Sequence, residues 1–571
     1  TACHRCPRPQ PRNDPGDPML RIVNGRVYDP ANGVDGEVRD ICIADGKIVA
    51  DVPPEARRLD ASGLVVMPGG VDIHCHIAGP KVNLARKLQP EDHRRDVHPR
   101  TAFTRSGTGG TVPSTFTTGY RYATLGYTTA MEAAVPPIGA RHTLEEFHDT
   151  PVIDKGFYVL MGNNVLLYRL LEQGRHDEFR NALAWWLAAT KAYTAKLVNP
   201  GGDEAWKGRR NANITRLDEK IESFELTPRQ VIGSLIRAVD ELGLPHPAHI
   251  HCNNLGHSGN FETTLETMRI AEGHRAHITH IQFHSYGEVP GKSSHNPTSK
   301  AREISDYVNE HPNISADVGQ VMFGKATSMT ADAPLAYMLA RFGSGKWVNS
   351  DTEHESGCGI VPFTYQDKVY THALQWCIGL ELFLLSKDPW RMVFSTDHPN
   401  GGSFMSYPRL IRLLMDKEFR REEMKKVNPK ALRGTALADG LEREYTLNEI
   451  AIITRAGPAR LLGLSSKGHL GVGADADLTL YEDHPDRERM FAAPRHVIKD
   501  GKLIIEDHEY RADHEGRVLH VAPDYDPQIT EVIRPFFEEF YSMRFSNYPV
   551  DDHYLGKHQV VPTAKQRTAS S

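Results

Sequence analysis

Eight short β-rich runs separated by helical stretches constrain this chain more than any other feature in it. VDIHCH, LGYTTAMEAAV, GFYVLMGNN, AYTAKLVNPGG, PHPAHIHCNN, AHITHIQFHSYG, ISADVGQVMFG and RMVFSTDHPNG follow one another between residues 71 and 401. One intervening helix is legible in full. Thr227 N-caps it, Pro228 occupies the first turn, and Ile232, Leu235, Ile236, Val239 and Leu242 form one apolar face before Gly243 ends it. Strand and helix in alternation predict an α/β protein built as a (β/α)8 barrel of the TIM type. In that fold the functional residues gather at the C-terminal ends of the strands.

The chain ends read differently. RIVNGRVYDP and DICIADGKIVA near the start, and GHLGVGADADLTLYE and HVIKDGKLIIED near the finish, are short strands punctuated by Asn-Gly and Asp-Gly turns. They predict a small β-sandwich domain built from both chain ends, residues 19–68 and 465–510, flanking a barrel over 69–464. Residues 511–571 form an extension whose aromatic stretch VIRPFFEEFYSMRFSNYPV is expected to pack on the barrel or on a partner subunit. Residues 1–18, rich in Pro and Arg, read as a disordered leader or an extension upstream of Met19. The Cys3–Cys6 pair within them has no second pair at zinc-site spacing.

Charge and cysteine usage narrow the class. A formal net charge of −6 argues against nucleic acid as a main partner. No apolar run is long enough to span a membrane, and no signal-peptide pattern opens the sequence. Seven scattered cysteines suit a reducing compartment better than a disulfide framework, so the expected location is the cytoplasm.

The barrel runs end in chemistry. His74 and His76 lie two apart on the first and so share a face, with Cys75 turned away. Lys196 sits inside the fourth, just before Asn199; the fifth ends in His249-Ile-His251 with Asn253 close behind; the sixth carries His280 and His284; and the eighth ends in Asp397. Singly, each has a bland reading: a snorkelling lysine, a turn-shaping aspartate, or histidines that touch ligands or substrate from behind. Together, on one ring, they describe a space for two divalent ions, and imidazole with carboxylate suits zinc. An ammonium at Lys196 would repel such ions. It must be neutral, or converted by carbon dioxide to a carbamate that bridges both. A hydroxide held there is a nucleophile at neutral pH, and Asp397 can accept its proton and pass it to a departing amine. The expected reaction is metal-assisted hydrolysis of an amide-type bond.

This ordered set resembles the amidohydrolase superfamily, and GVGADADLTLY resembles the close of that superfamily's small β domain. The likeness extends from about Arg21 to Asp507. A narrower likeness is carried by MPGGVDIHCHIAGPKVNLAR, AKLVNPGG, HIHCNNLGHSGN, HITHIQFHSYG and SGCGIVPFTY. These resemble the A subunits of formylmethanofuran dehydrogenase and of the formyltransferase/hydrolase complex of methylotrophic bacteria. The resemblance implies hydrolysis of an N-formyl amine on a methanofuran- or methylofuran-type carrier to formate and free amine, or its reverse. It also implies partner subunits that include a formyltransferase. It assigns His74 and His76 to one zinc ion and His251 and His280 to the other, with Lys196 as the N6-carboxylated bridge and Asp397 as ligand and base. His280 is chosen over His284, with which it is expected to share a strand face, because it directly ends the run AHIT; His284 is left as an assisting catalytic group. Asn199 and Asn253 are expected to contact substrate. The composition, with Arg, Ala and His in place of Lys/Glu enrichment, leans towards a mesophile and so towards the hydrolytic direction. The competing expectations are the formate-condensing dehydrogenase subunit, a free-standing dihydropyrimidinase or hydantoinase, and a metal-free scaffold.

A long insertion follows the first run, from Lys81 to Arg121, and carries Arg86, Lys87, Arg94, Arg95, Arg100 and Arg105. It is expected to be either a solvated loop or subunit contact, or a lid in which Arg94 and Arg95 hold the carrier's glutamate-rich tail.

Overall fold

The computed structural model of the chain describes residues 19–208, 213–288, 297–330, 332–342, 348–350 and 358–570. The leader with its Cys3–Cys6 pair lies outside them. Eight parallel strands form the central sheet: Gly70–Cys75, Tyr127–Val135, Asp154–Leu160, Thr194–Val198, Ala248–His251, Ala276–Ile278, Ile314–Asp317 and Met392–Val393, here barrel strands 1 to 8. Each pairs with the next in sequence, and the ring closes where Cys75 bridges His398 and the His76 N–H donates to the His398 carbonyl (2.7 Å). Strands of two to nine residues suffice because helices cover them on the outside, burying both faces.

The expected helix spans Pro228–Glu241 and opens with a capping box between Thr227 and Gln230; Gly243 supplies the positive φ (+68°) that ends it. The strands from the two chain ends form one continuous nine-stranded sheet. Leu20–Asp29 pairs with Arg57–Asp60 along its first half and with Leu64–Pro68 along its second, so the sheet wraps round its own core of Ile22, Val27, Ile41, Val66, Leu478 and Ile498.

The C-terminal extension does more than rest on the barrel. Val518–His520 pairs in parallel with barrel strand 3 at Lys155 and takes His558–Val560 as a further strand. Helix Ile529–Phe540 lays Phe537 on Trp186 and Tyr541 (centroids 5.8 and 4.3 Å apart), and Phe545 stacks on Trp185.

Where barrel, small sheet and extension meet, charges are buried together. Lys467 Nζ lies 2.5, 2.8 and 3.1 Å from Asp154, Asp477 and Asp475; Lys499 Nζ lies 3.1, 3.2 and 2.8 Å from Asp154, Asp477 and Asp500. Arg517 adds contacts of 2.7 to 3.1 Å to Asp475, Asp500 and Asp154. Burial opposes the charge on Asp154, yet these cations outweigh it and hold its pKa well below the carboxylate range. The four aspartates are matched by their own cations and form an ion network.

The insertion from Lys81 to Arg121 is folded: two short helices, Pro80–Leu88 and Pro90–Arg95, and a hairpin of Val97–His98 with Gly107–Thr108 precede helix Thr115–Thr124. Arg86 is buried and donates to Glu146 and to the Ile77 and Pro113 carbonyls. A second insertion lies between strands 7 and 8. It contains the hairpin Gly324–Thr330 with Cys358–Tyr365 and helices Ala333–Phe342 and Tyr370–Leu385. No helix among the described residues is long and apolar enough to cross a membrane.

Candidate functional site

Six of the expected residues line one cavity of about 770 Å3 at the C-terminal end of the barrel: His74, His76, Lys196, His251, His280 and Asp397. All six are buried. Their strands deliver them through sharp local turns, since Asn199, His280 and Asp397 hold positive φ (40°, 34° and 52°) at or just beyond strand ends. Non-glycine residues adopt that conformation at a cost of about 1 to 3 kcal/mol, which the surrounding packing must hold in place. Gly319 makes one of these turns possible, because a Cβ there would stand 2.4 Å from the His280 Cβ.

The atoms converge without satisfying one another. His74 Nε2 and His76 Nε2 stand 2.9 and 3.3 Å from Asp397 Oδ1, and His74 Nε2 has no aligned hydrogen bond despite that approach. Lys196 Nζ and His280 Nδ1 are likewise buried without a hydrogen-bond partner, and His251 Nε2 has only a long approach of 3.4 Å to Asp332 Oδ2. Buried polar atoms are normally paired, so a cluster of orphans aimed into one space fits a divalent cation. His74, His280 and Asp397 offer ligand atoms that all lie within 4.8 Å of one another.

Burial and charge set the protonation states. Burial pushes Lys196 down to about 7 against the pull of Asp317 and Asp397. Burial also lowers His251 and pushes His280 well down. At His74, burial is overcome by the carboxylates of Asp317 and Asp397, and the pKa rises. Asp397 stays well below the carboxylate range: burial works against its charge, and His74 and His280 outweigh it.

The remaining expected residues fall elsewhere. His284 does not share a strand face with His280, because strand 6 ends at Ile278 and a 3-10 turn, Ile281–His284, carries it behind the cavity wall. There it stacks on His280 (5.2 Å) and meets His251 edge-on (5.4 Å). Asn199 and Asn253, just beyond the ends of strands 4 and 5, do not line the cavity and bind each other: Asn253 Nδ2 donates to Asn199 Oδ1 (2.9 Å) and to the Pro200 carbonyl (3.0 Å). Arg94 and Arg95 are exposed on the helix Pro90–Arg95, and neither lines the cavity, nor does any described residue from 81 to 121.

Several supporting residues went unnoticed in the sequence. Glu132, on strand 2, sits 3.0 Å from His76 Nδ1 and accepts the Ile77 and Ala78 N–H groups (2.5 and 3.0 Å). Burial opposes its charge, but Lys81 and the His76 ring prevail and set its pKa at about 2. Asp317, on strand 7, accepts the His280 N–H (3.0 Å) and lies 3.2 Å from His277 Nε2. Asn400 donates to Asp397 Oδ1 (2.9 Å) and accepts the Met329 N–H (2.7 Å), tying the strand-8 turn to the second insertion. The signal was a lone carboxylate in an apolar strand, as in YTTAMEAAV, which folding tolerates only when it is paired. Above this polar floor the wall is mixed: Leu255, Phe283, Leu335, Met338, Val361 and Phe363 give it a largely apolar face, and Ser328, Thr330, Gln366, His372 and Gln375 add polar groups.

The amidohydrolase family profile matches residues 57–505. The chain belongs to the amidohydrolase family. It is similar over almost its whole length to protein FwdA of Methanocaldococcus jannaschii, with 44% identity over 563 residues covering 95% of this chain and 98% of that protein. It is also similar to the A subunit of the formyltransferase/hydrolase complex Fhc of Methylorubrum extorquens, 39% identical over 550 residues, 94% of this chain and 97% of that one. Among solved structures it resembles the Methylorubrum extorquens FhcABCD complex with methylofuran: TM-score 0.90, 37% identity, 95% of this chain and 100% of that chain. The (β/α)8 barrel expected from the eight strand runs, of the amidohydrolase type that the resemblance implied, is therefore the fold of this protein.

Proposed function

We propose that this amidohydrolase cleaves the formyl amide of an aminomethylfuran-type one-carbon carrier, giving formate and the free amine, as the hydrolase subunit of a complex with a formyltransferase. The observation that carries the reading is the cavity: six convergent ligand groups at its floor, four of them with a buried nitrogen that has no hydrogen-bond partner, and apolar side chains above, in a chain similar throughout to the hydrolase-complex protein of Methylorubrum extorquens. The apolar side chains of the wall suit a flat ring, which would leave the formyl end to reach the floor.

His74, His76, Lys196, His251, His280 and Asp397 are the residues that would hold two divalent ions, for which their nitrogen and oxygen donors suit zinc. Such ions supply Lewis acidity and draw the pKa of water towards neutrality. With its pKa at about 7, roughly half of Lys196 is a free amine at neutral pH. It can add carbon dioxide, forming an N–C bond and releasing one proton, to become an anionic ligand in place of a cation. Asp397 accepts the proton of the attacking water and returns it to the nitrogen as the C–N bond breaks and the C–O bond stays formed. Cys42, Cys75, Cys252 and Cys377 are free and buried, in keeping with a reducing cytoplasm.

The test is formate release by the purified protein from a formylated aminomethylfuran, beside ring opening of a hydantoin. Formate release with no ring opening is expected. Ring opening without formate release would overturn the assignment. The second reading is the formate-condensing direction implied by the likeness to formylmethanofuran dehydrogenase; it uses the same atoms and is read by incubating formate with the free amine.

A further inference from the structure

Beneath the cavity floor the barrel is filled by imidazoles, where branched aliphatic layers are usual. His249 from strand 5, His277 from strand 6 and His246 from the turn before strand 5 are wholly buried. Tyr158 from strand 3 stacks on His246 and lies against His249, with centroids 5.4 and 4.4 Å away. Three rings stand in line. His74 Nδ1 is 2.8 Å from His249 Nε2, His249 Nδ1 is 3.0 Å from His246 Nε2, and His246 Nδ1 is 2.8 Å from the Leu461 carbonyl oxygen.

When each ring carries a single hydrogen, as a metal-binding His74 must, a line that ends on a carbonyl has one consistent arrangement of hydrogens. The carbonyl only accepts, so His246 carries its hydrogen on Nδ1 and accepts at Nε2. His249 must then donate from Nδ1 and accept at Nε2, and His74 donates from Nδ1. Its Nε2 is left as a bare lone pair facing Asp397 and the cavity. Thr279 Oγ1 and Asp317 Oδ2 (3.5 Å) also border His74 Nδ1 and accept the same hydrogen in this arrangement. Asp317, which also meets His277 and the His280 N–H, stands further from His74 Nδ1 (3.5 Å) than His249 Nε2 does (2.8 Å).

We infer that His246 and His249 are positioning residues that hold His74 in the tautomer whose Nε2 is free to bind metal, the Leu461 carbonyl setting the direction of the whole line. The inference rests on the metal-site reading above. Without an acceptor at position 246, His249 is free to turn its hydrogen towards His74, which then carries its own on Nε2, where the ion would sit.

The test is zinc affinity of the metal-stripped full chain, measured by competition with a chromophoric chelator. His246→Phe keeps a ring against Tyr158 but removes the acceptor; His246→Gln keeps an acceptor for His249 and a donor for Leu461. The expectation is a loss of about 10- to 100-fold in affinity for the Phe variant, with the Gln variant within about threefold of wild type. Equal affinity of the Phe variant and wild type overturns the inference, as does a Gln variant as weak as the Phe one, which would make the effect one of packing. If the Phe variant does not fold, His246→Met takes its place under the same criteria. A wild-type chain that takes up no zinc overturns the metal reading itself, a result separate from either of these.

Discussion

At the residue scale the site works by refusing to satisfy its own atoms. Asp397 is the clearest case: it accepts one hydrogen bond from Asn400 and otherwise faces ring nitrogens. Asp397→Asn keeps the oxygen that Asn400 needs but cannot take a proton, so formate release should fall by about 10²- to 10⁴-fold, with KM little changed. A rate within a few-fold of wild type would remove Asp397 from proton transfer. Glu132 acts one step back, through His76. Glu132→Gln should weaken zinc binding by about 10- to 100-fold in the same chelator competition used for His246, while the fold stays intact by circular dichroism. The ligands themselves were legible in the sequence because His-x-His, a buried lysine and a terminal aspartate each break an apolar strand. Glu132, Asp317 and His246 were not, since one carboxylate or imidazole among apolar neighbours carries no spacing, and only the closed ring reveals what it faces.

At the scale of elements, the insertion between strands 7 and 8 decides what reaches the floor. Its hairpin and helices supply most of the wall's apolar side chains, through Leu335, Met338, Val361 and Phe363. The sequence showed the eight strands but not this wall, because a hairpin over an open barrel mouth has the same alternation as any surface hairpin. The first insertion shows the opposite: its arginines drew attention, yet Arg86 is a buried brace and Arg94 and Arg95 face outwards. Helix Tyr370–Leu385, which follows the wall in sequence, carries Glu381, which accepts from Ser299 Oγ (2.6 Å) and the Ala436 N–H. Burial lifts its pKa from 4.5 to about 7. Between those values the folded chain keeps a proton that the unfolded chain has released, so stability falls as pH rises, by roughly 3 kcal/mol over the window. Glu381→Gln removes that titration. Denaturant unfolding should show the variant equal to wild type near pH 4.5 and progressively more stable up to pH 7; parallel curves would show that Glu381 does not titrate there.

At the scale of the whole molecule, the chain ends are structural parts of the barrel. The small sheet takes strands from both ends, and the extension hydrogen-bonds to barrel strand 3 at the same place where Asp154 meets Lys467, Lys499 and Arg517. GVGADADLTLY, read in the sequence as the closing motif of a small β domain, supplies Asp475 and Asp477 to that junction. Removing one partner from such a network leaves buried charge uncompensated, which typically costs about 3 to 5 kcal/mol. Asp154 touches all three cations, so Asp154→Asn is the sharpest probe. If the network makes one cooperative body of barrel, sheet and extension, the variant should unfold at lower denaturant in a single transition. Tryptophan fluorescence, to which Trp185 and Trp186 at the contact between barrel helix and extension contribute two of six tryptophans, should coincide with the loss of β signal in circular dichroism. If the sheet is instead an independent unit, the β signal will move to lower denaturant while tryptophan fluorescence keeps its wild-type midpoint. That split would show that the aspartate joins surfaces without coupling their stability.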